Sequence, residues 1–176
     1  MAGTSPLDDW LALKLGESDN EIELETRAET QHAVDLMVKQ TTDSLNIFSR
    51  ELDAALYDRP EFLAALNHLC TDYRNATVRI LSQNPKVAVG QGHRLIELSR
   101  KLASSIEIRH VHADYRYYNE AFLIADACGL VHRTFADRFE GTANFNDPVK
   151  AQRRLDFFTE VWERSEPHPD LRRLHI

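Results

Sequence analysis

A change of hydrophobic period early in the chain constrains the fold most. Glu21-Ile22-Glu23-Leu24-Glu25-Thr26 alternates polar and apolar at every step, the pattern of a half-buried strand. From Thr26 to Thr41 the period lengthens: Ala33, Leu36, Met37 and Gln40 fall along one side of a helix that Thr26 can cap through Glu29. The switch then repeats. Strands are predicted over 45–49, 76–81 and 105–111. Between them, Asp58-Arg59-Pro60-Glu61 reads as a capping box opening a helix with Phe62, Leu63, Leu66, Leu69, Cys70 and Tyr73 on its apolar face. Gly90-Gln91-Gly92 reads as a loop before a helix through Ala103.

Glu120 to Asp126 and Leu130 to Phe135 predict a hairpin around Cys128-Gly129. Asp147-Pro148 starts a final helix with Ala151, Leu155, Phe158 and Trp162 on one face, and Leu171 to Ile176 is a tail able to pack back. Strands alternating with helices predict an α/β fold: a single domain with a mixed, largely parallel sheet flanked by helices on both faces. At 176 residues and 43% hydrophobic the chain suits one core. The predicted domain is residues 21–176. Residues 1–20 form an N-terminal helix and linker, with Ser5 as N-cap, Pro6 behind it, Trp10, Leu11, Leu13 and Leu15 as apolar positions, and Gly16 closing it.

A net charge of −7 and a pI near 5.6 argue against a nucleic-acid partner, since binding to a phosphate backbone needs clustered Lys and Arg. Cys70 and Cys128 are too few for a disulfide framework or a zinc pattern. The absence of a long apolar run, and of a basic stretch followed by an apolar one at the N-terminus, predicts a cytoplasmic protein without a transmembrane segment. No cofactor is called for.

The segment Tyr118 to Asp126, followed by Gly141-Thr142-Ala143-Asn144, resembles the signature of the phospholipase D superfamily: His-x-Lys, four residues, Asp, then Gly-Ser-x-Asn. Counting back from Asp126 puts Asn119 at the His position and Ala121 at the Lys position; Gly141, Thr142 and Asn144 match the second half. Fourteen residues separate Asp126 from Gly141, more than in the compact motif. The resemblance covers residues 21–176 and implies a degenerate domain of the HKD type with a phospholipase D-like fold. It implies a remnant phosphate pocket of Asn119, Ala121, Asp126, Gly141, Thr142 and Asn144, with Gly141 to Asn144 as a loop entering a helix. Arg109, Arg116 and Arg133 are the candidates for charge there. A carboxamide is not a nucleophile and a methyl group carries no charge, so the catalytic half of the motif is missing.

Three other features carry chemistry. His110, His112 and Asp114 lie on one side of an extended segment at a spacing that can share a metal ion, though surface histidines at a strand end are the commoner outcome. His110, His112 or His132 could replace the missing nucleophile. Tyr115-Arg116-Tyr117-Tyr118 suits base or sugar stacking, or an interface between two copies of the chain. Three functions therefore stand side by side. The first is a non-catalytic, homodimeric binding or accessory module for a small anionic or polar ligand. The second is a phosphodiesterase or phosphatidyltransferase with a substituted His nucleophile. The third is a protein-protein interaction module docking through Tyr115 to Tyr118 or the N-terminal helix.

Overall fold

The computed structural model describes residues 6–172. Ser5 and tail residues 173–176 lie outside them. In chain order the elements are α1 (Pro6–Asp9), β1 (Ile22–Leu24), α2 (Arg27–Gln40), β2 (Ser44–Ser49), α3 (Ala54–Tyr57), α4 (Pro60–Asp72), β3 (Thr77–Ser82), α5 (Pro85–Gly90), α6 (Arg94–Lys101), β4 (Ile106–His110), β5 (Ala121–Ala125), β6 (Gly129–Arg133), β7 (Gly141–Asn144), α7 (Pro148–Arg164) and α8 (Pro169–Arg172). Short 3-10 turns follow α1, at Trp10–Ala12, and β4, at Ala113–Tyr115.

The seven strands form one sheet in the order β1-β7-β6-β5-β2-β3-β4. It is mixed, but only β2, β3 and β4 run parallel; β5, β6, β7 and β1 join in antiparallel pairs. The expected predominance of parallel strands is corrected by the hairpin, which reverses the chain after β5, and by β7 folding back between β6 and β1.

Strand side chains alternate between two cores. Leu45, Ile47, Val78, Ile80, Leu123, Val131 and Ala143 face one core, where Ala33, Val34, Met37, Phe62, Leu66 and Leu69 of α2 and α4 cover them. Phe48, Leu81, Phe122, Ile124 and Leu130 face the other, under Ala151, Phe158, Val161 and Trp162 of α7. Helices thus cover both faces. The pairing of α7 with β5 and β6 decides what can line the pocket described below.

Local rules hold at α2, where Thr26 and Glu29 form both halves of the capping box. They fail at α4. Pro60 starts that helix, but Arg59 is its N-cap residue with no side-chain cap, and the Asp58 carboxylate instead accepts from Arg94 Nε at 2.6 Å. A charge-assisted bond to a distant Arg replaces the cap. The stretch before Gly92 is the helix α5 rather than a loop, and Gly92 makes the left-handed turn after it at φ 66°. The N-terminal segment is docked: Trp10 stacks on His32 with centroids 5.8 Å apart, and the Gly16 N–H donates to the Phe145 carbonyl. Leu171 is buried against the first core. No helix among the described residues is long and apolar enough to cross a membrane.

Candidate functional site

The residues grouped by the motif occupy three places. Asp126 opens the three-residue β5–β6 turn, Asp126 to Cys128, where Asp126 and Ala127 both have left-handed φ, 51° and 56°. Its carboxylate accepts from the backbone N–H groups of Thr42, Asp43 and Ser44. This capping of the approach to β2 occupies the carboxylate at the hairpin end of the sheet.

Asn119 and Ala121 lie at the opposite end of β5. The Asn119 side-chain oxygen accepts from Arg50 Nη2 at 2.9 Å, and its carbonyl accepts from the Ala136 N–H. Ala121 is buried opposite Arg133, on the face that Leu123 shares. Arg133 is 3% exposed and works structurally, donating to the Arg138 and Ala136 carbonyls and pairing with Asp53 at 3.4 Å. Tyr57 beside it is pushed up to about 12 by burial, against the pull of Arg133. The cleft here, about 380 Å³, includes Ser49, Arg50, Glu51, Asp53, Gln91 and Asp137 in its lining and holds more acid than base.

Gly141 to Asn144 is the strand β7 and not a loop entering a helix. It pairs with β6 on one side and β1 on the other, so its backbone groups belong to two ladders. A Cβ on Gly141 would lie 2.1 Å from the His132 carbonyl oxygen, a close approach only glycine permits. Ala143 faces the α2 core, which turns Thr142 and Asn144 toward α7. Asn144 is committed to the chain, donating to the Asp19 carbonyl and accepting from the Asn146 N–H.

Under the first turns of α7 a pocket of about 250 Å³ brings Thr142, Asn144 and His132 together with Lys150, Arg153 and Arg154. Glu21 and Asp147 complete its charged lining. The Glu120 carboxylate ties the inner wall together: it meets His132 Nε2 at 3.1 Å and accepts from Arg154 Nη1 at 2.7 Å and from the Tyr118 hydroxyl. Burial would raise the Glu120 pKa, but the hydrogen bonds from Arg154 and Tyr118 outweigh it and hold Glu120 below the usual carboxylate range. Burial and the Arg154 charge lower the His132 pKa against the pull of Glu120. Burial and the bond to Glu120 raise that of the Tyr118 hydroxyl. Lys150 pairs with Glu21 at 2.9 Å. The Arg153 side chain has no hydrogen bond or ion pair among the described residues.

The other expected charges lie elsewhere. Arg109 stacks on Trp162, 4.2 Å from the ring centroid, and donates to the Trp162 carbonyl. Arg116 is exposed over Tyr117. His110 contacts the Gln83 carbonyl, His112 caps the turn at Asp114, and Asp114 pairs with Arg164. The expected shared side is broken because the chain enters a 3-10 turn at Ala113, and no metal-holding group of three or more ligands exists among the described residues. Tyr115 and Tyr118 pack on Phe157 of α7, so the reading of Tyr115 to Tyr118 as an exposed stacking or interface surface is corrected to a single exposed ring, Tyr117.

Sequence reasoning missed Lys150, Arg153, Arg154, Glu120 and Glu21. A signal was present: Lys150, Arg153 and Arg154 recur at three and four residues, a basic stripe along one side of a helix whose apolar side runs through Ala151 and Phe158.

The model of a family described as Domain of unknown function (DUF7931) matches residues 26–174. Among solved structures, the chain is similar to Nuc, a phospholipase D family member from Salmonella typhimurium: TM-score 0.63, 12% identity, covering 85% of this chain and 97% of that one. NucT from Helicobacter pylori is similar at TM-score 0.57 and 10% identity, covering 85% and 98%. TrmBL2, an archaeal chromatin protein described as showing a novel mode of DNA binding, is similar at 0.60 and 13%, covering 96% of this chain and 57% of its own. These likenesses show the fold, which is phospholipase D-like. No curated protein matches the chain.

Proposed function

The chain belongs to the DUF7931 family, whose description names no activity, and from that premise we propose that it is a non-catalytic binding module for a small anionic ligand held under α7. One observation carries the reading. Lys150, Arg153 and Arg154 converge on the pocket to which β6 and β7 contribute His132 and Thr142, and Arg153 is not committed to another group. Cationic donors beside a hydroxyl suit an oxyanion, and a charge-assisted bond contributes about 1.5–3 kcal/mol.

The non-catalytic part is supported at the motif positions. Asn119 offers a carboxamide held by Arg50, and Ala121 is a buried methyl. Neither supplies a nucleophile or a leaving-group acid. A second reading, a phosphodiesterase or phosphatidyltransferase with His132 as nucleophile, is favoured by the position of that ring in the pocket wall beside Thr142. Self-association rests on narrower ground: Tyr117 and Phe135 are exposed on loops joined by the bond from the Ala136 N–H to the Asn119 carbonyl. Light scattering at twice the mass of one chain, falling to one mass in Tyr117→Ser with Phe135→Ser, is the outcome that supports a dimer through those rings.

Calorimetric titration with inorganic phosphate, alongside an assay on bis-p-nitrophenyl phosphate, tests the main reading. Binding should weaken at least ~10-fold in Arg153→Ala, the loss of one charge-assisted contact. No turnover above a blank is expected. Turnover that disappears in His132→Ala installs the enzyme reading instead, and the absence of any anion binding removes the binding reading.

A further inference from the structure

We propose that the pocket under α7 takes a dianionic oxyanion of the phosphate or sulfate kind and that each binding event adds one proton to His132. The inference deepens the anion-binding reading and rests on it. It starts from the charges facing the ring. Glu120 lies just before β5; from α7 come Lys150, Arg153 and Arg154; Asp147 caps that helix, and Glu21 lies just before β1. Three cations meet three carboxylates, while the pocket residues of β7, Thr142 and Asn144, carry no charge. With a neutral imidazole the wall is balanced, and a dianion would leave two negative charges unmatched in a half-closed cavity.

His132 is the group able to answer. Among the residues of this wall it alone has an ordinary pKa that places its charge change between pH 5 and 8. Nε2 already meets Glu120, and Nδ1 has no hydrogen-bond partner among the described residues. Protonation makes both ring nitrogens donors, one kept by Glu120 and the other available, and the proton comes from the solvent. A monoanion provides half the drive and leaves the imidazole neutral more often.

The full chain is titrated calorimetrically with methyl phosphate, methyl sulfate, inorganic phosphate and inorganic sulfate, in two buffers of different ionisation enthalpy. Sulfate stays dianionic from pH 6 to 8, which separates titration of the protein from titration of the ligand. Methyl sulfate matches methyl phosphate in shape with one charge fewer. Expected are uptake of about one proton per sulfate and an affinity that rises as pH falls, by at most ~10-fold per pH unit. Methyl phosphate should bind more tightly than methyl sulfate, which reads the second negative charge. His132→Gln should bind sulfate with a pH-independent affinity. Sulfate binding with no proton uptake in the wild-type chain, whatever the variant does, overturns the inference and leaves the anion site standing. Failure of all four anions to bind overturns the pocket reading itself.

Discussion

Asp126 Oδ1 accepts a 2.8 Å hydrogen bond from the backbone N–H of Asp43, which lies 83 residues earlier in the chain. Two flanking N–H groups, of Thr42 and Ser44, reach the same carboxylate. The hairpin turn thereby pins the link between α2 and β2. Asp126→Ala leaves three backbone donors without that acceptor and is expected to destabilise the fold by about 1–3 kcal/mol, read as a melting temperature several degrees lower. Its affinity for inorganic phosphate should not change, since the pocket under α7 lies elsewhere. An unchanged melt would remove the structural role.

Asn144 offers a separate check on the N-terminal link. Its side chain joins the Asp19 carbonyl to the Asn146 N–H, fixing the segment before β1 against the strand end. Asn144→Ala should lower stability by about 1–2 kcal/mol in a denaturant titration. Retention of the wild-type midpoint would mean that neither bond contributes.

Acid should weaken the fold in two steps. His93 and His132 both have folded pKa values below their ordinary 6.5, with burial the first cause in each. A group whose folded pKa is depressed contributes stability above its unfolded pKa and loses it as pH falls through the folded value. The first decline therefore begins below about pH 6.5. Glu120 adds the second below 4.5, where Arg154 and Tyr118 hold the carboxylate ionised against the effect of burial. Thermal melts from pH 8 to 4 should fall throughout the acidic range, and His132→Gln should flatten part of the upper step. A melting temperature that rises on acidification from pH 7 to 5 contradicts the sign of these shifts.

Most strands and the longer helices are legible because each has a local cause. The period-two stretch at 21–26 contains β1, the unbroken apolar run at 121–125 is β5, and Thr26 with Glu29 caps α2. The short helices α3 and α8 carry too few residues to show a period. β7 was misread because Gly, Thr and Asn are ordinary loop residues. Its strand state comes from two neighbours distant in sequence, β1 and β6. Thr142 and His132 both stand out in the sequence, but their common pocket depends on face and register, which spacing along one strand does not supply. Asp58 shows the same limit, since its competing partner Arg94 lies 36 residues away.

Restoring the motif should not restore chemistry. Asn119→His with Ala121→Lys supplies the two side chains the phospholipase D-like signature calls for, and the expected result is no hydrolysis of bis-p-nitrophenyl phosphate above a blank. Ala121 faces the α2 side of the sheet and is 1% exposed, so a lysine there enters the neighbourhood of buried Arg133. Two like charges in that setting should destabilise the chain, and a lower melting temperature is expected. Thr142 and Asn144, the candidates for holding phosphoryl oxygens, face α7 on the other side of the sheet. A nucleophile and its stabilising donors must converge on one reacting group, with atoms about 3–3.5 Å apart, for positioning to accelerate the reaction. Separation by the sheet prevents that convergence whatever residues stand at 119 and 121. Hydrolysis that appears in the double variant and disappears in Asn119→Ala with Ala121→Lys would show that these positions share a site after all.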